Sequence, residues 1–335
     1  MSKNASINKA QAPRYYVLGA GAMGMLWAAR LKQTGAHTAF ITRAVKSKVP
    51  VTEYNVSKRR SETTTFKAYT ASNLSHEELA WATVIIATKA HQATQALTEI
   101  LPSLHNSSNI LALCNGVGMQ QAMLDLLKQN NLSSNLFWGV SSDGALIDTQ
   151  QSLRHTGVGI TRIGCLSNTH NASHNTPLPE SLMLNIEYVN DIKTAIWQKF
   201  FINCAINPVT VLFDCNNGEL ISNKVYADFF CNLCSELQLL YDKLRHEFTS
   251  QSASVSPDSM QCILPANFSV LDAATQVAQR TSNNVSSMLR DTRSKKNTEI
   301  NALNAHLVEW AKRRQLPCSL NQQLVANIRQ LATHS

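Results

Sequence analysis

A short apolar, β-prone run, Tyr15-Tyr16-Val17-Leu18, stops at a glycine and is followed by a distinctive turn. The six residues there read Gly19-Ala20-Gly21-Ala22-Met23-Gly24. Residues Ala22 to Gln33, rich in Ala, Leu and Met, predict a helix with Gly35 as its stop signal. His37 to Thr42 predicts the next strand. This strand–turn–helix–strand context gives the G-x-G-x-x-G spacing its meaning as a dinucleotide phosphate turn. Gly19 permits the tight exit from the strand, Gly21 lets the backbone approach a pyrophosphate, and Gly24 lets the helix pack closely on the strand. The helix N-terminus then offers unpaired N–H groups and a positive dipole end.

The end of the second strand reads Thr42-Arg43. A carboxylate at that place holds a ribose 2′-hydroxyl and repels a 2′-phosphate, whereas a guanidinium grips the phosphate. The sequence therefore predicts NADPH/NADP+, with Arg43 on the 2′-phosphate. Thr83 to Thr88 is a continuous apolar run that leads into Lys89, and Ile110 to Cys114 is another that leads into Asn115. Such runs mark buried parallel strands. Ligands in open α/β sheets bind beyond the carboxyl ends of strands, so Lys89 and Asn115 are candidate contacts, although each could equally be a turn residue. Leu136 to Ser142 and the segment His155 to Gly164 supply later strands of the same sheet. In Val45 to Lys67 the pattern does not fix where strands begin and end.

A chain of 335 residues exceeds what one hydrophobic core usually spans. With 44% hydrophobic and 16% charged residues it has a globular composition, and no apolar run is long enough to cross a bilayer. The polar segment Met1 to Ala12 lacks the apolar core of a signal peptide and reads as a disordered tail, with a cytoplasmic location as the default. The net charge of +8 suits an anionic ligand. Its Lys and Arg residues are scattered without a nucleic-acid signature, and Lys58-Arg59-Arg60 reads as a solvated loop. Eight cysteines are present, and Cys231 and Cys234 form a C-x-x-C. No second pair or nearby histidines complete a zinc site, so both are expected as small residues on a buried helix face, with no metal bound.

From about Asp191 the pattern changes to long helical periodicities. The expected layout is a tail over 1–12, an NADP-binding domain over 13–189 and a helical domain over 190–335. Within the apolar stretch Ile196 to Pro208, Lys199, Asn203 and Asn207 recur every four residues, along one stripe of a helix. Either the stripe faces solvent, or a lysine is being held in apolar surroundings for a purpose. Pro208 disfavours helical geometry at Asn207, which predicts a kink or a helix end there. Further on lie Ser286-Ser287-Met288-Leu289-Arg290-Asp291 and Thr298-Glu299-Ile300. Thr298 reads as a helix N-cap with Glu299 in the first turn.

Taken together, these residues resemble the ketopantoate reductase family from Tyr15 to about Ile328. The resemblance rests on the glycine turn, on Asn115-Gly116-Val117-Gly118, and on His155 to Gly164. More specific are Trp197-Gln198-Lys199 through Asn203 and Ile206-Asn207-Pro208 to Asn217-Gly218-Glu219-Leu220, and the Ser-Ser-Met element with Thr298-Glu299-Ile300. It implies a Rossmann α/β domain followed by an all-α domain of the 6-phosphogluconate dehydrogenase C-terminal type, with the active site in the cleft between them. The implied reaction is NADPH-dependent reduction of 2-dehydropantoate to (R)-pantoate, toward pantothenate and coenzyme A.

The family's proton donor falls on Lys199, and Glu299 matches a carboxylate close to substrate and nicotinamide ribose. Asn203, Asn207, Asn217 and Ser287 match substrate-binding positions. Cofactor contacts match Gly19, Ala20, Gly21, Ala22, Met23, Gly24, Arg43, Lys89, Asn115 and Ala145. One stretch departs from the family: after Gly139 the chain reads Val140-Ser141-Ser142-Asp143-Gly144-Ala145, where many relatives carry threonines and then His-Ala-Ala or similar. A carboxylate near a dinucleotide is unfavourable unless paired. The partner implied is a small 2-oxo acid, with neither nucleic acid nor membrane, and the chain a monomer or homodimer. Two rival readings are a related reductase of another 2-oxo acid and a non-catalytic NADPH-sensing protein.

Overall fold

The computed structural model describes residues 13–55, 60–167, 177–178, 185–250 and 260–333. The expected tail over 1–12 and Lys58-Arg59 of the basic run lie outside these residues. The chain divides into two compact units, one of residues up to 88 with 95–113 and 126–188, the other of 89–94, 114–125 and 189–335.

The first unit carries eleven strands: β1 (Arg14–Leu18), β2 (His37–Ile41), β3 (Lys48–Asn55), β4 (Arg60–Tyr69), β5 (Thr83–Ile86), β6 (Asn109–Ala112), β7 (Asn135–Ser141), β8 (Gly144–Ile147), β9 (Ser152–Gly157), β10 (Thr161–Cys165) and β11 (Ile186–Tyr188). They form one sheet in the order β11-β10-β7-β6-β5-β1-β2-β4-β3-β9-β8. From β7 to β4 every neighbouring pair is parallel. β5 and β6 are buried along their whole length, which is why they read as unbroken apolar runs. Helix α1 (Ala22–Gln33) buries Leu26, Trp27, Ala28 and Leu31 completely.

The Val45–Lys67 segment contributes β3 and most of β4, an antiparallel pair in which Val49 faces Phe66. Val49, Val51, Phe66 and Ala68 are buried on one face, but Glu53 and Glu62 fall at the same parity and interrupt the apolar alternation. Phe66 meets Phe40 edge-on, with ring centroids 5.4 Å apart. The remaining helices are α2 (His76–Leu79), α3 (Ala90–Ile100) and α4 (Met119–Gln129), which lie among the strands in sequence.

The second unit is built around α5 (Ile192–Phe213), followed by α6 (Glu219–Ser222), α7 (Lys224–Ser250), α8 (Val270–Arg280), α9 (Ser287–Arg293), α10 (Asn304–Arg313) and α11 (Ser319–Thr333). Asp191 caps α5 by accepting from Thr194 N–H at 3.1 Å. Phe200, Phe201 and Tyr241 form an edge-to-face chain, with centroids 5.5 and 5.3 Å apart.

Three local expectations are corrected. Of the kink or helix end expected at Asn207, the end is excluded, because the helix runs through Pro208 to Phe213. Proline removes the N–H that would bond the Cys204 carbonyl, and the Asn304 side chain supplies the missing donor at 2.9 Å. Thr298 is not a helix N-cap: the chain bends at Glu299, Ile300 to Leu303 form turns, and α10 begins at Asn304. Glu299 is therefore held by something other than a helix dipole. In the C-x-x-C of α7, only Cys234 is buried and Cys231 is exposed, so the pair does not share a buried face.

Candidate functional site

In the first unit the glycine turn leaves β1 and enters α1. Gly19 has φ +112°, and a Cβ there would sit 2.8 Å from the Ala87 carbonyl oxygen. A Cβ on Gly24 would lie 1.9 Å from the Gly19 carbonyl oxygen and 3.3 Å from Val17, so a side chain would force helix and strand apart. Gly21 differs: it is exposed, and a Cβ there would meet nothing within 4 Å. It is also the N-cap of α1, contributes no capping side chain, and is followed by a first turn without acidic residues. Open backbone, unpaired N–H groups and no negative charge are what a pyrophosphate requires. Ala20, Ala22 and Met23 are partly buried around this turn, and Arg43 is exposed two residues past β2. Ala145 is buried in β8.

Asp143, the departure from the family pattern, is not unpaired. Its carboxylate accepts from Gly159 N–H at 3.1 Å and from Ser141 Oγ at 3.2 Å, and lies 3.0 Å from His155 Nε2 and 3.6 Å from the Arg30 guanidinium. Burial pushes its pKa up, but these partners outweigh that and hold the carboxyl below its usual range. Arg30 is on α1 and His155 on β9, so the carboxylate fastens α1 to the β8–β9 hairpin.

The second unit gathers most of the remaining candidates. Lys199, Asn203 and Asn207 lie along α5, whose apolar residues leave little of it to solvent, and Asn207 is only 7% exposed. A solvated stripe is thus excluded at Asn207. Lys199 keeps some exposure as a residue, yet burial around its amine lowers the pKa from 10.5 to about 8, and the Glu299 carboxylate opposes that shift. Glu299 is buried, with Oε2 accepting from Asn115 Nδ2 at 3.0 Å and Oε1 from Ala90 N–H at 3.3 Å. Lys89 Nζ lies 2.6 Å from Asp291 Oδ2.

Ser286 caps α9 through Leu289 N–H and bonds Thr210 of α5 at 2.6 Å, which fixes the start of the helix that carries Ser287. Asn217 is buried, and its backbone N–H donates to the Asn284 carbonyl at 3.0 Å. Sequence reasoning quoted Asp291 without a role and passed over Asn304 and Thr281, whose parts depend on partners far away in the chain.

Two models of one family match most of the chain. That of ketopantoate reductase PanE/ApbA matches residues 15–168, and that of the ketopantoate reductase PanE/ApbA C terminal matches residues 191–332. The chain belongs to the ketopantoate reductase family. That family is one of oxidoreductases, and this member is 27% identical over 310 residues to a 2-dehydropantoate 2-reductase of Yersinia pestis, covering 92% of this chain and 91% of the relative. Its fold is similar to the crystal structure of a PanE/ApbA family ketopantoate reductase from Ralstonia eutropha, with a TM-score of 0.74 at 20% identity over 96% of this chain and 99% of that one. It is also similar to D-mandelate dehydrogenase in a ternary structure with NADH and anilino(oxo)acetate, with a TM-score of 0.76 at 17% identity over 96% of this chain and 98% of that one. Among the described residues no helix is long and apolar enough to cross a membrane.

Proposed function

We propose that this member of the family reduces 2-dehydropantoate to (R)-pantoate with NADPH, a step toward pantothenate, and that Lys199 donates the proton. The observation that carries this reading is the Lys199 amine, drawn down to about 8 by burial and opposed by the carboxylate of Glu299. An ammonium poised near neutral pH is a competent general acid. It also stabilises the charge that develops on a ketone oxygen as it is reduced.

The bound nicotinamide supplies the hydride. The glycine turn fits its pyrophosphate, because Gly21 leaves open space and the first turn of α1 carries no carboxylate. Arg43, exposed past β2, is suited to a 2′-phosphate, with which it forms paired charge-assisted bonds. Lys89, Asn115, Ala145 and Glu299 complete the proposed cofactor contacts. Glu299 also keeps Lys199 protonated by raising its pKa. Asn203, Asn207, Asn217 and Ser287 would bind the substrate through neutral donors and acceptors, which add no charge beside Lys199.

The test is oxidation of NADPH, and separately of NADH, with 2-dehydropantoate beside pyruvate, 2-oxoisovalerate and oxaloacetate. The highest kcat/KM is expected for NADPH with 2-dehydropantoate, and no turnover with any of them would overturn the reading. The likeness to D-mandelate dehydrogenase favours a second reading, reduction of a different 2-oxo acid on the same fold. The same assay separates the two.

A further inference from the structure

Asn217 donates its side-chain Nδ2 to Thr281 Oγ1 at 2.8 Å, and Thr281 Oγ1 in turn donates to the Val277 carbonyl at 2.7 Å. A hydroxyl has one proton to give, and Thr281 gives it to the helix α8 carbonyl. Toward Asn217 it can therefore only accept, which means that only the NH2 end of the amide can face it. The backbone holds the two segments in register: Asn217 N–H donates to the Asn284 carbonyl and Gly218 N–H to the Ser282 carbonyl, both at 3.0 Å. Asn217 Oδ1 is left buried and has no hydrogen-bond partner among the described residues.

A buried amide oxygen is costly unless a donor reaches it. The reacting end of a 2-oxo acid offers no donor, since its carboxylate and ketone oxygens only accept. What Asn217 Oδ1 can take from such a substrate is a hydroxyl elsewhere on its chain. We infer that Thr281 is a positioning residue that locks the Asn217 amide with its oxygen toward the substrate, and so selects hydroxylated 2-oxo acids over their deoxy analogues. This rests on the proposed substrate role of Asn217 and adds the residue that sets its polarity. Without the Thr281 hydroxyl the amide is free to turn its NH2 inward, and the buried acceptor for the substrate's hydroxyl proton is lost.

The experiment compares 2-dehydropantoate with trimethylpyruvate, the same carbon skeleton without the hydroxyl, in the wild type, Thr281→Val and Thr281→Ser. The wild type is expected to favour the hydroxylated acid in kcat/KM by at least about tenfold, because a site built to bond a hydroxyl rejects the analogue that lacks it. Thr281→Val is expected to lose about tenfold of that ratio, through KM for 2-dehydropantoate, while trimethylpyruvate is handled as before. Thr281→Ser is expected to keep it. A Val variant with an unchanged ratio, or with equal losses on both acids, overturns the inference. Thr281→Ala is read in the same way if the Val variant does not fold. A wild type that reduces both acids equally well overturns this inference alone, whereas one that reduces neither overturns the proposed reaction as well.

Discussion

Asn304 Nδ2 donates to the Cys204 carbonyl at 2.9 Å, the carbonyl that Pro208 deprives of its helical N–H. The same NH2 group donates to Asn321 Oδ1 at 2.8 Å, and Asn304 is fully buried. Proline can therefore stand inside α5 between Asn207 and the end of the helix. Asn304→Ala is expected to destabilise the protein by about 2 kcal/mol, the cost of leaving buried acceptors unmet. In a Pro208→Ala background the N–H returns to the Cys204 carbonyl, and the same substitution should cost less. Urea unfolding of the four proteins of this cycle measures the difference, and equal costs in both backgrounds would dissolve the link.

Lys199 sets a pH dependence with a definite sign. In the proposed role of acid the protonated amine is the active form, so its pKa of about 8 is expected to make kcat/KM flat below that value and falling above it. Glu299 raises this pKa, so Glu299→Gln is expected to move the descending limb to lower pH. Lys199→Ala is expected to lower kcat by about a thousandfold or more while NADPH still binds. The checks are pH profiles under single-substrate saturation and fluorescence titration with NADPH. A Lys199→Ala enzyme with near-normal turnover would remove the proton donor.

Much of this was legible in the sequence, and the reasons differ by element. Helix α1 and strands β1 and β2 could be read directly, because the glycine turn separates two clear apolar patterns. The β3–β4 pair was not, because Glu53 and Glu62 fall on the same face as its buried apolar residues. The stripe of Lys199, Asn203 and Asn207 was visible as spacing, but its surroundings were not: burial belongs to the tertiary packing of α5. The helix through Pro208 could not be foreseen, since the donor that permits it comes from a residue 100 positions away. Nor could the bend that carries Glu299, whose partners are Ala90 at the start of α3 and Asn115 past the end of β6.

Arg43→Ala is expected to weaken NADPH by at least about tenfold and NADH little, since only the former carries the 2′-phosphate that a guanidinium grips. Dissociation constants for both cofactors, measured side by side, decide this. Equal losses would show that Arg43 does not read the phosphate.

Asp143→Ala removes the acceptor shared by Arg30, His155 and the Gly159 N–H. With 4% of its side chain exposed, this carboxylate is a buried counter-charge, and breaking it is expected to cost about 3 kcal/mol. A lowered Tm in calorimetry is the readout. An unchanged Tm would mean that the cluster does not fasten α1 to the hairpin.

The two donors that hold Glu299 come from residues 90 and 115, although the helices around it begin at residue 192. The helical unit is therefore not a continuous length of chain. A fragment cut at residue 189 would carry Lys199 and Glu299 but neither of the donors that hold the Glu299 carboxylate. Swapping C-terminal halves between relatives would likewise transplant Glu299 and leave its two donors behind, unless residues 89–94 and 114–125 travelled with it.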